Sequence, residues 1–411
     1  MLRLVSLAGV FVMLGLCYAF SVNRRAISWR TVGAGVLIQA LVAMTFLYWD
    51  AGNQSLQWFG RKVDEFLGLS QAGTSFVFNA LAHQADVAHA FGQNKGFLFA
   101  TQVLPTLIFF SAFMSVLYHL GIMQLVVRGM AVVMARVMRT SGAESTSACA
   151  NIFVGQTEAP LLVRPFLPGM TLSEIHAIMT GGFATIAGGV FVLYVGFGVD
   201  PGHLMVASVM GAPAGLVCSK LMFPETVVSE TMGRVSVATE RTASNVIEAA
   251  ANGAIDGLKL ALNVGAMLIA FLGLVAVVDY LLAIVPGADL SLVKILGWVF
   301  YPIAAVMGVE RQDIPALAQL LGTKLTLTEL VAYLNLTKLH EAQAISERTM
   351  LIASFALCGF ANVGSIAIQI GGLSAMAPER KADLSRLALR AMCTGALATC
   401  MTASIAGVVA A

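Results

Sequence analysis

Two Thr-Glu dipeptides, Thr157-Glu158 and Thr328-Glu329, lie inside otherwise apolar stretches of the chain. A charged side chain at the centre of a bilayer costs about 3 kcal/mol or more, so one that occurs there faces a cavity or a partner. An ionised carboxylate only accepts hydrogen bonds, and two facing carboxylates suit a ligand rich in hydroxyl groups, such as a ribose. Gln156 and Thr157 flank the first glutamate, and a glutamine, with paired donors and an acceptor, fits the edge of a heterocyclic base. Asn362 and Ser365 are spaced to share one helix face, and Phe360 offers a ring for stacking. Asn151 and Thr185, with main-chain carbonyls near Val154 and Ile186, supply the neutral oxygens that an interrupted membrane helix gathers around a sodium ion. The plain alternatives are ion pairs, Glu158 with Arg164 and Glu329 with Lys324, and satisfied polar groups in a membrane bundle for Asn151 and Thr185.

Enzyme chemistry is excluded by what the motifs lack. His340-Glu341 is followed by Ala342-Gln343-Ala344, so an HExxH metal site would miss its second histidine. Neither a GxSxG nor a Walker pattern occurs, and the six cysteines have no metal-ligand spacing. Without a nucleotide-binding module, uphill transport must draw on an ion gradient.

The elements that position these residues follow from the solvent. Of the 411 residues 58% are hydrophobic and only 11% charged, and the mean hydropathy is +0.84; a soluble domain carries about 25% charged residues. Charge-free windows run between residues 3 and 24, 30 and 50, 95 and 128, 174 and 200, 200 and 220, 259 and 279, 348 and 379, and from 390 to the C-terminus. A helix needs about 20 apolar residues to cross the hydrocarbon, so these windows predict about eight spans. The runs are continuous rather than alternating, which favours a helical bundle over a barrel. The expected fold is therefore an all-α polytopic membrane protein. Clusters at Arg24, Arg25 and Arg30, at Arg128, Arg136 and Arg139, at Lys220, Arg234 and Arg241, and at Arg380, Lys381 and Arg386 are cytoplasmic by the positive-inside rule. An even number of spans then puts both termini on the outer side.

An internal repeat organises the chain. Gly182-Phe183-Ala184-Thr185 returns as Gly359-Phe360-Ala361-Asn362, with a Thr-Glu dipeptide upstream of each. Each dipeptide lies in a stretch too broken to cross cleanly, residues 144–164 and 294–333, and each reads as a re-entrant hairpin. Each Gly-Phe-Ala motif lies in a long apolar segment that reads as a helix interrupted near its middle. The first hairpin is expected to enter from the cytoplasm and the second from outside, which makes the halves inverted and places a binding site near the midplane. Residues 1–50 read as two scaffold helices, 51–94 as interfacial helices and 95–125 as a third scaffold helix. Residues 126–225 form the first half of a transport region, 226–257 a cytoplasmic amphipathic segment, 258–290 a long scaffold helix and 291–411 the second half.

The strings around these residues resemble the concentrative nucleoside transporter family, in its bacterial, sodium-coupled type. Gly155-Gln156-Thr157-Glu158-Ala159-Pro160-Leu161-Leu162-Val163-Arg164-Pro165 is similar to the family's first hairpin. Gly322-Thr323-Lys324-Leu325 leading to Glu329-Leu330-Val331-Ala332-Tyr333 is similar to the second, and Phe355 through Asn362 to its broken seventh helix. The resemblance covers essentially the whole chain. It implies two opposed re-entrant hairpins, a homotrimer in the bacterial inner (cytoplasmic) membrane and elevator-type alternating access. It assigns base contacts to Gln156 and Thr157, a direct or water-mediated contact to Glu158, and packing on the base to Val190. Ribose contacts fall to Glu329, Asn362 and Ser365, with Phe360 beside them, and sodium ligation to Asn151, Thr185 and the Val154 and Ile186 carbonyls. The implied partners are a nucleoside, sodium as coupling ion, the lipid bilayer and further copies of the chain, with no organic cofactor and no nucleic acid. Thr185 stands where close bacterial relatives carry Ser and keeps the hydroxyl; Gly364 stands where some relatives carry Ser. Proton coupling with the same substrate, and a non-transport membrane component with a related gate-like fold, are the competing readings.

Overall fold

The computed structural model describes residues 1–92, 96–235, 243–284 and 290–410. The described residues are helical, with no strand beyond an isolated bridge between Ser141 and Met232. Among the described residues seven helical runs are long and apolar enough to cross a membrane: Leu2–Ala19, Trp29–Tyr48, Phe99–His119, Leu172–Gly196, Pro201–Met222, Val246–Ala283 and Pro378–Val409. The expectation of about eight spans also counted the window 348–379, which is split into two helices too short to cross alone.

The chain begins with α1 (Leu2–Ala19) and α2 (Trp29–Ala43), the latter running on as a π turn, Met44–Tyr48. Next come α3 (Asp50–Gly68), α4 (Ser70–Phe78) and α5 (Gln84–Phe91). α3 buries Gly52, Leu56 and Gly60, one narrow stripe at helical spacing, and leaves Lys62 and Glu65 paired on its exposed side. The pattern is that of a helix lying along a surface. A short α6 (Phe99–Gln102) leads into α7 (Leu104–His119), and α8 (Ile122–Met138) follows a left-handed turn at Gly121 (φ 78°). The expected boundary at 125/126 falls inside α8, because the break is made by that glycine and not by a change in composition.

The first repeat then opens. α9 (Gly142–Ala150) meets a turn at 151–158, and the chain returns as a 3-10 stretch, Ala159–Gly169, packed against α9. Pro160, Pro165 and Pro168 withhold the N–H groups an α-helix would need there. α10 (Leu172–Ala184) ends at a break, residues 185–187, and α11 (Gly188–Gly196) continues beyond it, followed by the unbroken α12 (Pro201–Met222). Capping boxes at Ser141/Glu144 and Thr171/Glu174 start α9 and α10. Glu144 also pairs with Lys220 at 2.7 Å, and Lys220 donates to Ser173 Oγ at 2.8 Å, which pins the base of the hairpin to α12. Lys220, expected to mark a cytoplasmic loop, is thus buried in a polar knot.

α13 (Val246–Ala283) is one helix of 38 residues. The composition predicts a boundary at 257/258, where charged residues give way to apolar ones. Asp256 and Lys259 instead pair across one turn on the exposed face at 3.3 Å, and the helix runs through them. Of the expected polar segment, Glu240 and Arg241 lie outside the described residues. Gly253 and Gly257 let α13 cross α7 closely: a Cβ on Gly257 would sit 2.7 Å from Ile108 Cα. After α14 (Leu292–Val306) the second repeat repeats the order of the first. α15 (Ile314–Thr326) and α16 (Glu329–Glu341) form a hairpin, later and tighter than the expected 294–333. α17 (Glu347–Leu357), a break at 358–362 and α18 (Val363–Met376) form the broken helix, and α19 (Lys381–Val409) closes the unit.

Candidate functional site

The two breaks meet each other. The Phe360 N–H donates to the Thr185 carbonyl at 3.2 Å, so the exposed backbone of one interrupted helix is satisfied by the other. The close approach depends on the second motif's glycine, since a Cβ on Gly359 would lie 2.7 Å from the Phe183 carbonyl oxygen. The Gly-Phe-Ala strings of the repeat are therefore the crossing point itself.

Glu329 is the first residue of α16 and only 5% exposed. Its two oxygens are held by neutral donors: Tyr194 Oη donates to Oε1 at 3.1 Å and Asn362 Nδ2 to Oε2 at 2.7 Å. The helix N-terminus favours the negative charge, and each oxygen keeps lone pairs for a ligand hydroxyl. The ion-pair alternative fails. Lys324 is buried, but its ammonium donates to the Ala356 carbonyl at 2.8 Å and to Thr399 Oγ1 at 2.9 Å. It therefore caps the C-terminal end of α17, where a cation offsets the dipole. Replacing Lys324 with Met takes the ammonium from the Ala356 carbonyl, while Thr399 Oγ1 keeps its bond to the Ala396 carbonyl, and should cost about 1–3 kcal/mol of stability, read as a lower melting temperature in detergent.

Asn362 is the N-cap of α18, and its Oδ1 accepts the Ser365 N–H at 2.8 Å. Asn362, Ser365 and Gln369 are buried along one face of α18. At the far end of that face Gln369 Nε2 donates to Gln156 Oε1 at 2.9 Å and to the Met179 carbonyl at 3.0 Å. Thr157 packs on the same helix, where a Cβ on Gly372 would lie 2.7 Å from Thr157 Cγ2. One helix face thus links the carboxylate end of the site, at Asn362, to the amide end, at Gln369, about 10 Å further along its axis. Val190 is buried in α11, and Phe360 half-buried in the break.

The paired glutamates are unlike. Glu158 is exposed, and its carboxylate folds back over Gly155, where no Cβ would fit. At the sodium candidates, Thr185 Oγ1 donates to the Gly181 carbonyl at 2.8 Å, and a Cβ on Gly181 would lie 3.5 Å from Asn151 Nδ2. Asn151 and Thr185 therefore border the same turn of α10. Both ends of the Asn151 amide are buried without a hydrogen-bond partner. No backbone N–H among the described residues donates to the Val154 or Ile186 carbonyl. An orphaned amide oxygen beside a hydroxyl and spare carbonyls is a donor set that fits a hard cation such as sodium.

Sequence reasoning missed Tyr194 and Gln369. A tyrosine hydroxyl and an amide inside charge-free stretches were the available signals, both weak because each is buried against protein partners that only the fold supplies.

The chain matches the model for the Na+ dependent nucleoside transporter C-terminus over residues 203–407. It matches that for the N-terminus over 8–81, and one described as Nucleoside recognition over 100–200. It is 45% identical over 412 residues to an uncharacterised transporter of Haemophilus influenzae, covering 98% of this chain and 97% of that protein. It is 42% identical over 424 residues to sodium/nucleoside cotransporter 1 of Mus musculus, covering 99% of this chain and 64% of that protein, so it spans under two thirds of the mouse relative. Among solved structures, CNTnw in an inward-facing substrate-bound state superposes with a TM-score of 0.94 at 42% identity, with both chains covered in full. An engineered variant of CNTnw in an outward-facing state gives a TM-score of 0.95 at 41% identity, covering 100% of this chain and 99% of that one.

Proposed function

The chain belongs to the Na+ dependent nucleoside transporter family, and from that premise we propose that it imports nucleosides across the bacterial cytoplasmic membrane, driven by sodium. The observation that carries the reading is Glu329: a buried carboxylate held by a phenol and an amide, with no direct ion pair among the described residues, at the junction of two half-helices. Such a group keeps acceptor capacity for the ribose hydroxyls, while Asn362 and Ser365 line the same end. Gln156, Thr157 and Val190 take the base, Glu158 reaches it directly or through water, and Phe360 flanks the sugar. Asn151 and Thr185, with the Val154 and Ile186 carbonyls, hold sodium beside the crossing.

The hairpins are re-entrant and the halves inverted. With their broken helices they form a body that moves between faces against a scaffold of α1–α7 and α13. The scaffold supports a homotrimer, because α13 leaves Ile247, Leu262, Ile269, Leu274 and Tyr280 exposed along its length. Both termini lie outside.

Labelled uridine uptake into proteoliposomes tests the reading. An inward sodium gradient should drive accumulation that collapses when sodium is equal on both sides. Equal uptake in both conditions would refute sodium coupling, accumulation under a pH gradient alone would establish the proton alternative, and no uptake of any nucleoside would refute the function.

A further inference from the structure

Among the described residues Gln369 makes the one side-chain bond that reaches Gln156, and its chemistry fixes which way Gln156 faces. A main-chain carbonyl only accepts, so the group of Gln369 that meets the Met179 oxygen at 3.0 Å is its NH2. The second hydrogen of that NH2 goes to Gln156 at 2.9 Å, and the atom receiving it is Oε1. Gln156 therefore turns its oxygen toward Gln369, which still leaves that oxygen one lone pair, and its NH2, on the other side of the amide, has no protein acceptor among the described residues. Two independent features show that this arrangement is built. A Cβ on Gly182 would lie 2.7 Å from Gln369 Nε2 and 2.8 Å from Gln156 Cβ, so the glycine that opens the first repeat motif makes room for the pair. Gln369 Oε1 is buried with no partner, a cost that a Met or Leu of similar size would avoid if packing were the only task.

We infer that Gln369 is a positioning residue that sets the hydrogen-bond polarity of the base-reading amide. Gln156 meets the nucleobase with its NH2, so the edge it reads carries an acceptor, a carbonyl oxygen or an unprotonated ring nitrogen. Met179 on α10, Gln156 on the first hairpin and Gln369 on α18 belong to the same half-helix cluster, so the polarity travels with the site whichever way it opens. The inference rests on the assignment of Gln156 to the base made above.

The test is a double-mutant cycle on sodium-driven uridine uptake. Gln369→Met should raise KM about tenfold, the equivalent of one lost hydrogen bond, with Vmax and the half-saturating sodium concentration within about twofold of wild type. In a Gln156→Met background the same change should move KM by less than about twofold, because there is no amide left to orient. Gln369→Glu has the same shape but its carboxylate only accepts, so it turns the Gln156 hydrogens away from the base and should raise KM at least as far. Equal KM effects in both backgrounds, or an effect confined to Vmax, would overturn the inference. An unchanged KM in Gln369→Glu would do the same even if Gln369→Met failed to fold. Absence of wild-type nucleoside uptake would instead strike the proposed function first.

Discussion

Glu329→Gln should abolish sodium-driven nucleoside uptake while leaving the folded protein at least as stable. The carboxylate receives Tyr194 Oη and Asn362 Nδ2, both neutral donors. An amide in its place has one acceptor and one donor, and a donor pointed at either partner is a repulsive contact. What remains of the acceptor is then taken by the protein and not by the ribose. A hydrogen bond to a charged group contributes about 1.5–3 kcal/mol, so the loss of two such bonds lowers uptake by at least about 100-fold. Stability moves the other way, because neutralising a buried charge that has no direct ion-pair partner among the described residues relieves its desolvation cost. The measurement is uptake alongside thermal denaturation in detergent. Uptake above about a tenth of wild type in a well-folded variant would remove Glu329 from the ligand set, and a sharp fall in melting temperature would make it structural.

Much of this site is readable in the chain because membrane burial makes polar residues expensive. Glu158, Glu329, Asn151 and Asn362 stand out in apolar sequence, and the repeated Gly-Phe-Ala string brings the two halves into register. The order hairpin, broken helix, unbroken helix in each half follows from the same cost, since only interrupted segments need polar partners at depth. What the chain does not disclose is pairing. Lys324 is five residues from Glu329 and looks like its counter-ion, yet the turn at Leu327 and Thr328 sends it to the end of α17. Tyr194 lies 135 positions from the carboxylate it holds, and Gln369 lies 213 positions from the amide it orients. Local composition also misplaced two boundaries, at 125/126 and 257/258, because helix ends were set by Gly121 and by an exposed ion pair that the helix tolerates. The symmetry of the two glutamates was legible, but the difference in their surroundings was not: Glu158 is exposed over Gly155, and Glu329 is enclosed.

Asn151→Ala should uncouple the protein from sodium with little effect on the fold. The Asn151 amide is buried with neither end bonded, and the turn of α10 it faces already satisfies Thr185 Oγ1 through Gly181. A buried polar group without a partner costs about 1–3 kcal/mol, so its removal in a sodium-free buffer should be neutral or slightly stabilising. Sodium changes that balance. A ligand that binds only the folded state raises stability by about 2.7 kcal/mol at 100 times its dissociation constant, so the wild-type melting temperature should climb when sodium chloride replaces potassium chloride. In Asn151→Ala the same exchange should leave the melting temperature flat, and uridine uptake should no longer respond to the sodium gradient. Thr185→Val, which removes the neighbouring hydroxyl but keeps the shape, should weaken the sodium response in the same direction. A sodium-dependent rise that survives in both variants would place the ion elsewhere, and would leave the orphaned amide as a donor to substrate in place of a ligand to the ion that drives it.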